Sequence, residues 1–498
     1  MHEQLFLGID LGTSALKAVA IDATGHVRAQ ASAVYETLVP QHGWTEQRPE
    51  DWWRACREAI AALGQSIALR DVAAIGLTGQ MHGAVFLDGD REVIRPAILW
   101  NDQRTHAEAE EIERSIGIER LVALTGNRSF TGFTAPKLMW LRRNATIAYK
   151  RLHHLLLPKD YLRLMLTGEL ATDVGDASGT GLFDVGRRAW SAEVLDALDL
   201  RAGMLPPAYE GPEVTGRLLP NAAADLGMTA GVPVVAGAGD QQAGAIGAGA
   251  VTPGVSMTNI GTSAQVFAPV ADYRPEPQGR LHTMCHGVPG TWHAMGAMLS
   301  GGAALRWLGD AIAPLLPVGA DALPSLAALA EASPPGARGL LFLPYLNGER
   351  MPHNDPHARA AFVGLSSQHD VGDMARAVME GVAFNLRQLL DLTRASRIPV
   401  DEMRLAGGAS RNAVWALALA DIFEMPLSLA ESHDATAVGA ALLAATGAGA
   451  FASVQQAATA CVRVTSVVKP RAETAPLYRE HYARYARMYA ATQEISGD

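Results

Sequence analysis

One short pattern occurs twice in the sequence and constrains the fold more than any other feature. It consists of an apolar run, a Gly-Thr-Ser turn and a second apolar run, first at residues 5–22 and again at residues 257–267. Two short apolar runs joined by a small polar turn with glycine predict a β-hairpin. One hairpin alone is compatible with ordinary turn chemistry, but a copy in each half of the chain predicts two related domains.

The two turns also predict a chemistry. Backbone N–H groups freed in a tight turn form a concavity that binds anions. Asp10 stands just before the first turn; a carboxylate does not bind an anion, but it can hold Mg²⁺ or the waters bound to Mg²⁺ that accompanies a polyphosphate. The pairing of the turns resembles the actin-like ATPase superfold, which sugar kinases, actin and heat-shock ATPases share. This resemblance implies an α/β fold of two related actin-like (ribonuclease H-like) domains that flank a catalytic cleft and grip a nucleotide from both sides.

Length and composition bound the remaining possibilities. A chain of 498 residues is too long for one hydrophobic core, and we expect an N-terminal domain at 1–246 and a C-terminal domain at 247–498. The formal net charge of −10, without a basic run, argues against nucleic acid or an anionic membrane as partner. Three distant cysteines favour a reducing compartment, and the N-terminus lacks the features of a signal peptide, so a cytoplasmic location is expected. The uncharged tract at 435–456 predicts a buried helix ended by Gly447 rather than a membrane span.

Polar side chains follow two of the predicted strands. His82 comes shortly after the apolar strand 72–77, and Asp102 follows the strand 97–100. Ligands of open α/β sheets bind outside the carboxyl ends of the strands, so both side chains lie where a ligand is expected. A lone histidine is also commonly structural, and that alternative stays open. The stretch 44–49 between the first strands and the first helix predicts a polar loop.

Asp240 is the most isolated charge in the chain. It is the one charged residue between Leu226 and Ala271, and it follows the apolar strand 232–236. A carboxylate in such surroundings is costly unless it is paired, hydrogen-bonded or functional, and desolvation would raise its pKa and make it a better base. The alternative is that Asp240 is the N-cap of a helix at 241–249.

Three further segments leave alternatives open. The small polar residues at 172–180 suit either a loop close to a ligand or a plain surface loop. Lys137 and Lys159 are two of the chain's few lysines, and each has either a functional role or a structural ion pair. The charged stretch 475–493 predicts a surface helix.

Several longer motifs carry a specific resemblance. The chain is similar to the FGGY carbohydrate kinase family over nearly its whole length, through these segments: GIDLGTSALK, GLTGQMHG, ILWNDQR, GFTAPKLMWL, LPKDYLRLMLTGE, AGAGDQQAGAIG, NIGTS, FLPYLNGERMPH and LAGGASRN. The resemblance implies a kinase that transfers phosphate from Mg²⁺-ATP to a sugar hydroxyl. Its GQMHG and LPKDYLR segments favour the ketopentose xylulose as the sugar.

The resemblance also implies roles, position by position. Asp240 would take the proton from the sugar hydroxyl, and Asp10 would hold Mg²⁺. The sugar would be contacted by Met81, His82, Trp100, Asp102 and Gln241. ATP would be bound by Thr13, Ser14, Lys17, Thr262, Gly407, Gly408 and Asn412. Many relatives carry asparagine where this chain has Gln241, which leaves the exact sugar open.

Two other functions remain compatible with the sequence. The first is phosphorylation of another sugar, such as ribulose, a deoxy-xylulose or a sugar alcohol. The second is a non-catalytic sensor of sugar or nucleotide on the same fold, although a sensor has no need of a base such as Asp240. The partners expected are therefore a small sugar and ATP, with no nucleic acid and no membrane, and a homodimer is one expectation for the assembly.

Overall fold

The computed structural model describes residues 4–313, 321–431 and 434–496. Its strands, in chain order, are β1 (Leu5–Leu11), β2 (Ala15–Asp22), β3 (Val27–Val34), β4 (Glu46–Gln47), β5 (Val72–Gly79), β6 (Val85–Leu87), β7 (Ala97–Ile98), β8 (His154–Leu156), β9 (Thr172–Asp173), β10 (Phe183–Asp184), β11 (Ala189–Trp190), β12 (Ala208–Tyr209), β13 (Val214–Arg217), β14 (Pro233–Val235), β15 (Ala238–Gly239), β16 (Gly254–Ile260), β17 (Ala264–Val270), β18 (His282–Cys285), β19 (Trp292–Met298), β20 (Leu341–Leu343), β21 (Ala361–Val363), β22 (Val400–Gly407), β23 (Leu427–Ala430) and β24 (Val464–Val468).

The helices alternate with these strands, as expected for an α/β chain. They are α1 (Pro49–Leu63), α2 (His106–Ile116), α3 (Ile118–Thr125), α4 (Thr134–Asn144), α5 (Thr146–Arg151), α6 (Pro158–Thr167), α7 (Val174–Ser178), α8 (Ala192–Ala197), α9 (Pro220–Leu226), α10 (Asp240–Ala248), α11 (Gly302–Ile312), α12 (Ala322–Ala332), α13 (Val371–Ala395), α14 (Ala413–Phe423), α15 (Ala435–Gly447), α16 (Val454–Cys461), α17 (Ala475–Tyr485) and α18 (Met488–Ser496).

The described residues form two units. Unit 1 contains residues 4–252, 269–293 and 434–462, and unit 2 contains residues 253–268, 294–313, 321–431 and 463–496. Two segments from the second half of the chain therefore pack within unit 1. These units describe packing, and the predicted domain limits of 1–246 and 247–498 stay a prediction.

Unit 1 is built on a mixed sheet with the strand order β13-β14-β5-β1-β2-β3. The predicted hairpin is confirmed, because β1 pairs antiparallel with β2, while β5 runs parallel to β1. Side chains of β1 alternate between the two faces of the sheet. Leu7 and Ile9 pack in the core that includes α1, and Phe6 packs in the core that includes α15.

The prediction of a buried helix after residue 435 is also confirmed. Helix α15 ends at Gly447, and it packs on β1 and β5 without room for a side chain on the sheet. A Cβ atom on Gly8 would lie 1.9 Å from the carbonyl oxygen of Ala437, and one on Gly76 would lie 1.9 Å from that of Ala440. Within the described residues, no helix is long and apolar enough to cross a membrane.

Unit 2 repeats the arrangement of the first hairpin. Its sheet has the order β19-β17-β16-β22-β23-β24, with β16 antiparallel to β17 and parallel to β22. The second predicted hairpin is thus confirmed, with residues 261–263 as its turn. The 25-residue helix α13 packs against α12 and α14.

Two other predictions about local structure are wrong. The stretch predicted as a polar loop contains β4, whose residues Glu46 and Gln47 are both buried and pair with β7. The segment 475–493, predicted as one surface helix, lies at the surface but forms two helices, α17 and α18, and α17 buries one face through Tyr478 and Tyr485. In both places buried polar or aromatic side chains pack against residues far away in the sequence.

Candidate active site

The end of β1 presents a carboxylate beside the first Gly-Thr-Ser turn. Asp10 lies opposite Lys17 in the hairpin, and its buried Oδ1 accepts no hydrogen bond from the residues that the structure describes. Burial raises the pKa of Asp10 from its usual 3.8 to about 6, while the positive charge of Lys17 lowers it and the negative charge of Asp434 raises it. Lys17 Nζ lies 2.6 Å from Asp434 Oδ1, so the predicted ATP contact is engaged in an ion pair.

Three side chains hold the turn that follows. The Tyr35 hydroxyl donates to the carbonyl oxygen of Gly12, and Gln47 Nε2 donates to that of Thr13 at 2.6 Å. Trp100 Nε1 donates to the hydroxyl of Thr13 at 3.0 Å. The structure thus brings together Trp100, which was predicted to contact sugar, and Thr13, which was predicted to contact phosphate.

Asp240 begins a helix next to this hairpin. Gly239 has the extended conformation of an N-cap (φ −60°, ψ 158°), and Asp240 is the first helical residue of α10, so the N-cap interpretation of Asp240 is wrong. Strand β15 pairs parallel with β5, with Gly239 opposite Gly79. This register places Asp240 beside the residues that follow β5, among them Met81 and His82.

The environment of Asp240 suits a base. The pKa of Asp240 is raised from its usual 3.8 to about 7, chiefly by burial and also by the negative charge of Asp10, while hydrogen bonds from the side chain and backbone of Gln241 act to lower it. Side chains with a pKa near the working pH are the most effective general bases. Gln241, predicted as a sugar contact, therefore also binds the carboxylate of Asp240.

Met81 and His82 form the wall next to Asp240. A Cβ on Gly239 would lie 2.8 Å from Met81 Sδ, so the thioether packs directly against the backbone before Asp240. His82 has a left-handed backbone (φ 67°), and its ring stacks on Phe133 with centroids 4.5 Å apart. His82 Nδ1 lies 2.6 Å from the carbonyl oxygen of Gly179. Because a carbonyl oxygen only accepts, Nδ1 carries the proton, and in the neutral ring Nε2 is an acceptor.

Lys137 and Asp102 have structural partners. Lys137 Nζ donates to the carbonyl oxygen of His82 at 2.7 Å and therefore fixes the backbone of that residue. The fully buried carboxylate of Asp102 accepts two hydrogen bonds from the Arg104 guanidinium, at 2.7 and 2.9 Å, and one from the backbone N–H of Thr45 at 2.7 Å. The sugar contact predicted for Asp102 stays a prediction, and the structure gives the residue a role in fixing the loop around it.

A cluster of buried charged side chains lies near Met81 and His82. Lys159 Nζ is 2.5 Å from Asp160 Oδ1, 2.8 Å from Asp173 Oδ1 and 3.6 Å from Asp176 Oδ2, and all four side chains are fully buried. The interpretation of residues 172–180 as a surface loop is wrong, since every residue there is buried. Of the two alternatives for Lys159, the structure shows the ion pair.

The second Gly-Thr-Ser turn, in unit 2, is held by backbone groups. The N–H groups of Gly301 and Ala303 donate to the carbonyl oxygen of Thr262, each at 3.0 Å, and that of Gly302 donates to Gly261 at 2.8 Å. Gly407 lies opposite Ile260 with φ 78°, and a Cβ there would be 2.2 Å from Asn259 Oδ1.

Two other residues that were predicted to bind ATP lie after strand β22. Gly408 begins a short 3₁₀ turn at Gly408–Arg411, and Asn412 caps α14 by accepting the backbone N–H of Trp415 at 3.0 Å. The structure therefore places Gly407 and Gly408 beside Ile260, at the strand end that leads into the second turn, whereas the side-chain oxygen of Asn412 serves its helix.

Sequence reasoning missed the residues that support the first turn. Tyr35, just after β3, and Gln47, in β4, reach it from more than twenty residues away in the chain. The local sequence gives no sign of these contacts, because a buried glutamine resembles any glutamine of a polar loop.

Comparison with known proteins decides the family. The model of the N-terminal domain of the FGGY family of carbohydrate kinases matches residues 5–247, and that of the C-terminal domain matches residues 256–448. The chain belongs to the FGGY family of carbohydrate kinases. The predicted family membership and the predicted enzyme class, a carbohydrate kinase, are confirmed.

Individual FGGY kinases extend the likeness over most of the chain. The xylulose kinase of Escherichia coli (strain K12) is 43% identical over 88% of this chain and 89% of its own length. The crystal structure of a "xyloylose kinase" from Brucella ovis matches with a TM-score of 0.90 and 39% identity, covering 99% of this chain and 100% of that one. A gluconate kinase from Lactobacillus acidophilus also has a TM-score of 0.90, at 26% identity and 98% coverage of both chains. These matches confirm the predicted two-domain α/β fold of the actin-like type.

Proposed function

We propose that this FGGY kinase phosphorylates D-xylulose to D-xylulose 5-phosphate, with Mg²⁺-ATP as the phosphate donor. The name of the Escherichia coli relative supports the sugar, at 43% identity over 88% of the chain. The observation that carries the chemistry is Asp240, a carboxyl with a pKa raised to about 7 at the start of α10, next to Met81 and His82.

Asp240 acts as the general base in this proposal. A sugar hydroxyl is a weak nucleophile until a base accepts its proton, and a carboxylate with a pKa near 7 does so at neutral pH. The hydroxyl oxygen then forms a bond to the γ-phosphorus of ATP, the bond to the bridging oxygen breaks, ADP leaves, and Asp240 keeps the proton until it passes to water. Gln241 orients the carboxylate through its hydrogen bonds.

Asp10 is the proposed residue for Mg²⁺. Its buried Oδ1, which accepts no hydrogen bond from the described residues, is the kind of hard oxygen donor that this ion prefers, directly or through water. When bound, Mg²⁺ neutralises charge on the phosphates, which is the main requirement of phosphoryl transfer. The described part of the chain has no group of three or more His, Cys, Asp or Glu side chains suited to a metal.

The remaining site residues keep their proposed roles in substrate binding. In unit 1, we assign Met81, His82, Trp100 and Gln241 to the sugar, and Asp102 to the sugar only through the loop that it fixes. Thr13, Ser14 and Lys17 in unit 1, and Thr262, Gly407, Gly408 and Asn412 in unit 2, are assigned to ATP. The cytoplasmic location, the homodimer and the absence of nucleic acid or membrane partners stay predictions.

The test of the base is Asp240→Ala. Removing it should lower kcat by ~10²–10⁴-fold, the usual contribution of a general base, while ATP still binds. ADP release gives the turnover, and calorimetry gives ATP binding. Asp272→Ala, which changes an exposed carboxylate of the same unit, is the control. Near-normal turnover of Asp240→Ala would remove this residue from the mechanism.

A second substrate is supported by one comparison and by the resemblance to the family. The gluconate kinase with a TM-score of 0.90 is named for another sugar class, and the resemblance implies asparagine in many relatives where this chain has Gln241. A panel of xylulose, ribulose, deoxy-xylulose, sugar alcohols and gluconate, with ATP and Mg²⁺, separates these substrates by kcat/KM. Binding of sugar and ATP without any ADP release would instead favour the non-catalytic sensor.

A further inference from the structure

The side-chain amide of Gln47 is buried in unit 1 and fully hydrogen-bonded. Gln47 lies on β4, which pairs with β7, and none of its surface is exposed. Its Nε2 donates to the carbonyl oxygen of Thr13 at 2.6 Å and to the hydroxyl of Thr37 at 2.8 Å. Its Oε1 accepts from Trp52 Nε1 and from Gln80 Nε2, both at 2.9 Å. All four hydrogen-bonding positions of the amide are therefore in use.

Chemistry permits only one orientation of this amide. The indole N–H of Trp52 can only donate, so it must face Oε1, and the carbonyl oxygen of Thr13 can only accept, so it must face Nε2. Gln80 must then donate through its own Nε2. A flip of Gln47 would break the bonds to Thr13 and to Trp52 together, which fixes the amide as a rigid link.

The two ends of this link belong to different parts of the site. Thr13 is in the turn assigned to phosphate, and Gln80 directly precedes Met81 and His82, which are assigned to the sugar. Gln80 is almost fully buried, and its Oε1 accepts no hydrogen bond from the described residues, so Gln47 is the side-chain partner that holds it. The backbone N–H of Gln80 also donates to the carbonyl oxygen of Leu11 at 2.8 Å, next to the same turn.

We infer that Gln47 is a positioning residue that couples the phosphate turn to the sugar-binding segment, so that binding at one favours binding at the other. The inference rests on the proposed function for the roles of Thr13, Met81 and His82. A displacement of the turn by phosphate moves the Thr13 carbonyl, and the fixed amide passes that movement to Gln80. A buried amide that is held by four hydrogen bonds has one fixed orientation, which suits such a role.

Three substitutions separate the parts of the link. Gln47→Leu removes both ends. Gln47→Glu has nearly the same shape and keeps an acceptor for Trp52 and Gln80, but it places a carboxylate oxygen against the Thr13 carbonyl. Thr37→Val is the matched control, because it removes a bond to the same amide and touches neither the turn nor Gln80.

The measurement is the dissociation constant of the sugar with and without a non-hydrolysable ATP analogue and Mg²⁺, followed by calorimetry. The analogue should tighten sugar binding to the wild-type chain at least ~5-fold, the lower end of typical coupling between sites. The ratio should fall towards one in Gln47→Leu and stay at the wild-type value in Thr37→Val. Gln47→Glu should also bring the ratio towards one, because it breaks the bond to the Thr13 carbonyl, while its dissociation constant for the sugar alone should stay within about 2-fold of wild type, since the link to Gln80 is kept.

Each of the following results would overturn the inference. A wild-type ratio of one, an unchanged ratio in Gln47→Leu, or an equal fall in Thr37→Val would show that Gln47 carries no coupling. If Gln47→Leu does not fold, as thermal unfolding would reveal, the ratio in Gln47→Glu decides alone, and an unchanged ratio there overturns the inference. Failure of the proposed function is seen separately, as a wild-type chain that releases no ADP with xylulose; the best sugar of the panel then replaces xylulose in the binding measurement.

Discussion

The two Gly-Thr-Ser turns have the same backbone plan and different side chains. Each joins two antiparallel strands, and each first strand has a parallel neighbour, β5 in unit 1 and β22 in unit 2. The position two residues before the glycine is Asp10 in the first copy and Asn259 in the second. Their partners across each hairpin also differ in charge, since Asp10 faces Lys17 and Asn259 faces Gln265.

The means of support differ as well. Side chains of Tyr35, Gln47 and Trp100 hold the first turn, whereas backbone N–H groups at the start of α11 hold the second. The first turn, with a charged residue before it and side chains that hold it, can be altered by single substitutions of those side chains. The second turn, without that charge and held by backbone groups, depends on the close approach of two backbone segments. In the proposed mechanism the first copy serves metal and catalysis, and the second serves binding alone.

The largest expected effect comes from replacing Asp10 with asparagine, the residue at the equivalent position before the second turn. Asp10→Asn should lower kcat by at least ~10²-fold, the size of losing one preorganised electrostatic group. The measurement is turnover over a range of Mg²⁺ concentrations. Asn259→Asp, the reverse exchange, is the control and should cost far less. Equal losses in the two variants would contradict the division of roles.

The next effect tests the support by backbone. A Cβ on Gly301 would lie 2.6 Å from the backbone of Ser263, so Gly301→Ala should displace the second turn and raise the KM for ATP about 10-fold, a loss within the usual cost of overpacking. Tyr35→Phe removes one hydrogen bond from the first turn and should raise the same KM only about 2- to 5-fold.

A matched glycine checks that the effect of Gly301→Ala is local. A Cβ on Gly203 would meet no other atom within 4 Å, so Gly203→Ala should leave the KM for ATP unchanged. A smaller effect for Gly301→Ala than for Tyr35→Phe would reverse the comparison of the two turns.

The pH profile tests the charge on the first turn. Because the pKa of Asp240 is about 7, kcat/KM should rise with pH up to about 7 and fall about tenfold for each unit below it. Asp10 raises the pKa of Asp240, so the residual activity of Asp10→Asn should have its acid limb at lower pH than the wild type. Asn259→Asp should leave the limb unmoved, and a limb that stays in place in Asp10→Asn would refute the electrostatic link.

The smallest effect is on stability. Burial raises the pKa of Asp10 from its usual 3.8 to about 6. A carboxyl with a higher pKa in the folded chain favours folding most below the unfolded value, and this contribution is lost as the pH rises through the folded value. Asp10→Asn should therefore be more stable than wild type at neutral pH, by at most about 3 kcal/mol, the free-energy equivalent of the pKa shift, with no gain below about pH 4. Urea unfolding at both pH values measures the difference, and a variant less stable at neutral pH would contradict it.

The sequence predicted the features that depend on neighbouring residues. Both hairpins and helix α15 follow from local patterns of apolar residues and glycine, and the structure confirms them. The resemblance gave the family, and the structure places Asp10, Asp240, Met81, His82 and Trp100 together in unit 1. The roles of these residues stay predictions until the variants are measured.

The rest depends on partners far away in the chain. Asp102 is fixed by Thr45, 57 residues earlier, and Lys159 by Asp173, while Gln47 joins Thr13 to Gln80. Burial of such polar groups is decided by the whole fold, so a local pattern shows neither the partner nor the role. For the same reason the sequence predicted a loop around Gln47, where the structure has β4.

Helix α15 has a consequence for the synthesis of the chain. It covers β1 and β5 so closely that these strands, once synthesised, acquire their final cover only after residue 447 has been added. At ordinary translation speeds of ~5–20 residues per second, the nascent hairpin waits roughly 20 to 90 seconds for it. During that interval the apolar face of the sheet that includes Phe6 is exposed, and a chaperone that binds nascent chains would find its target there.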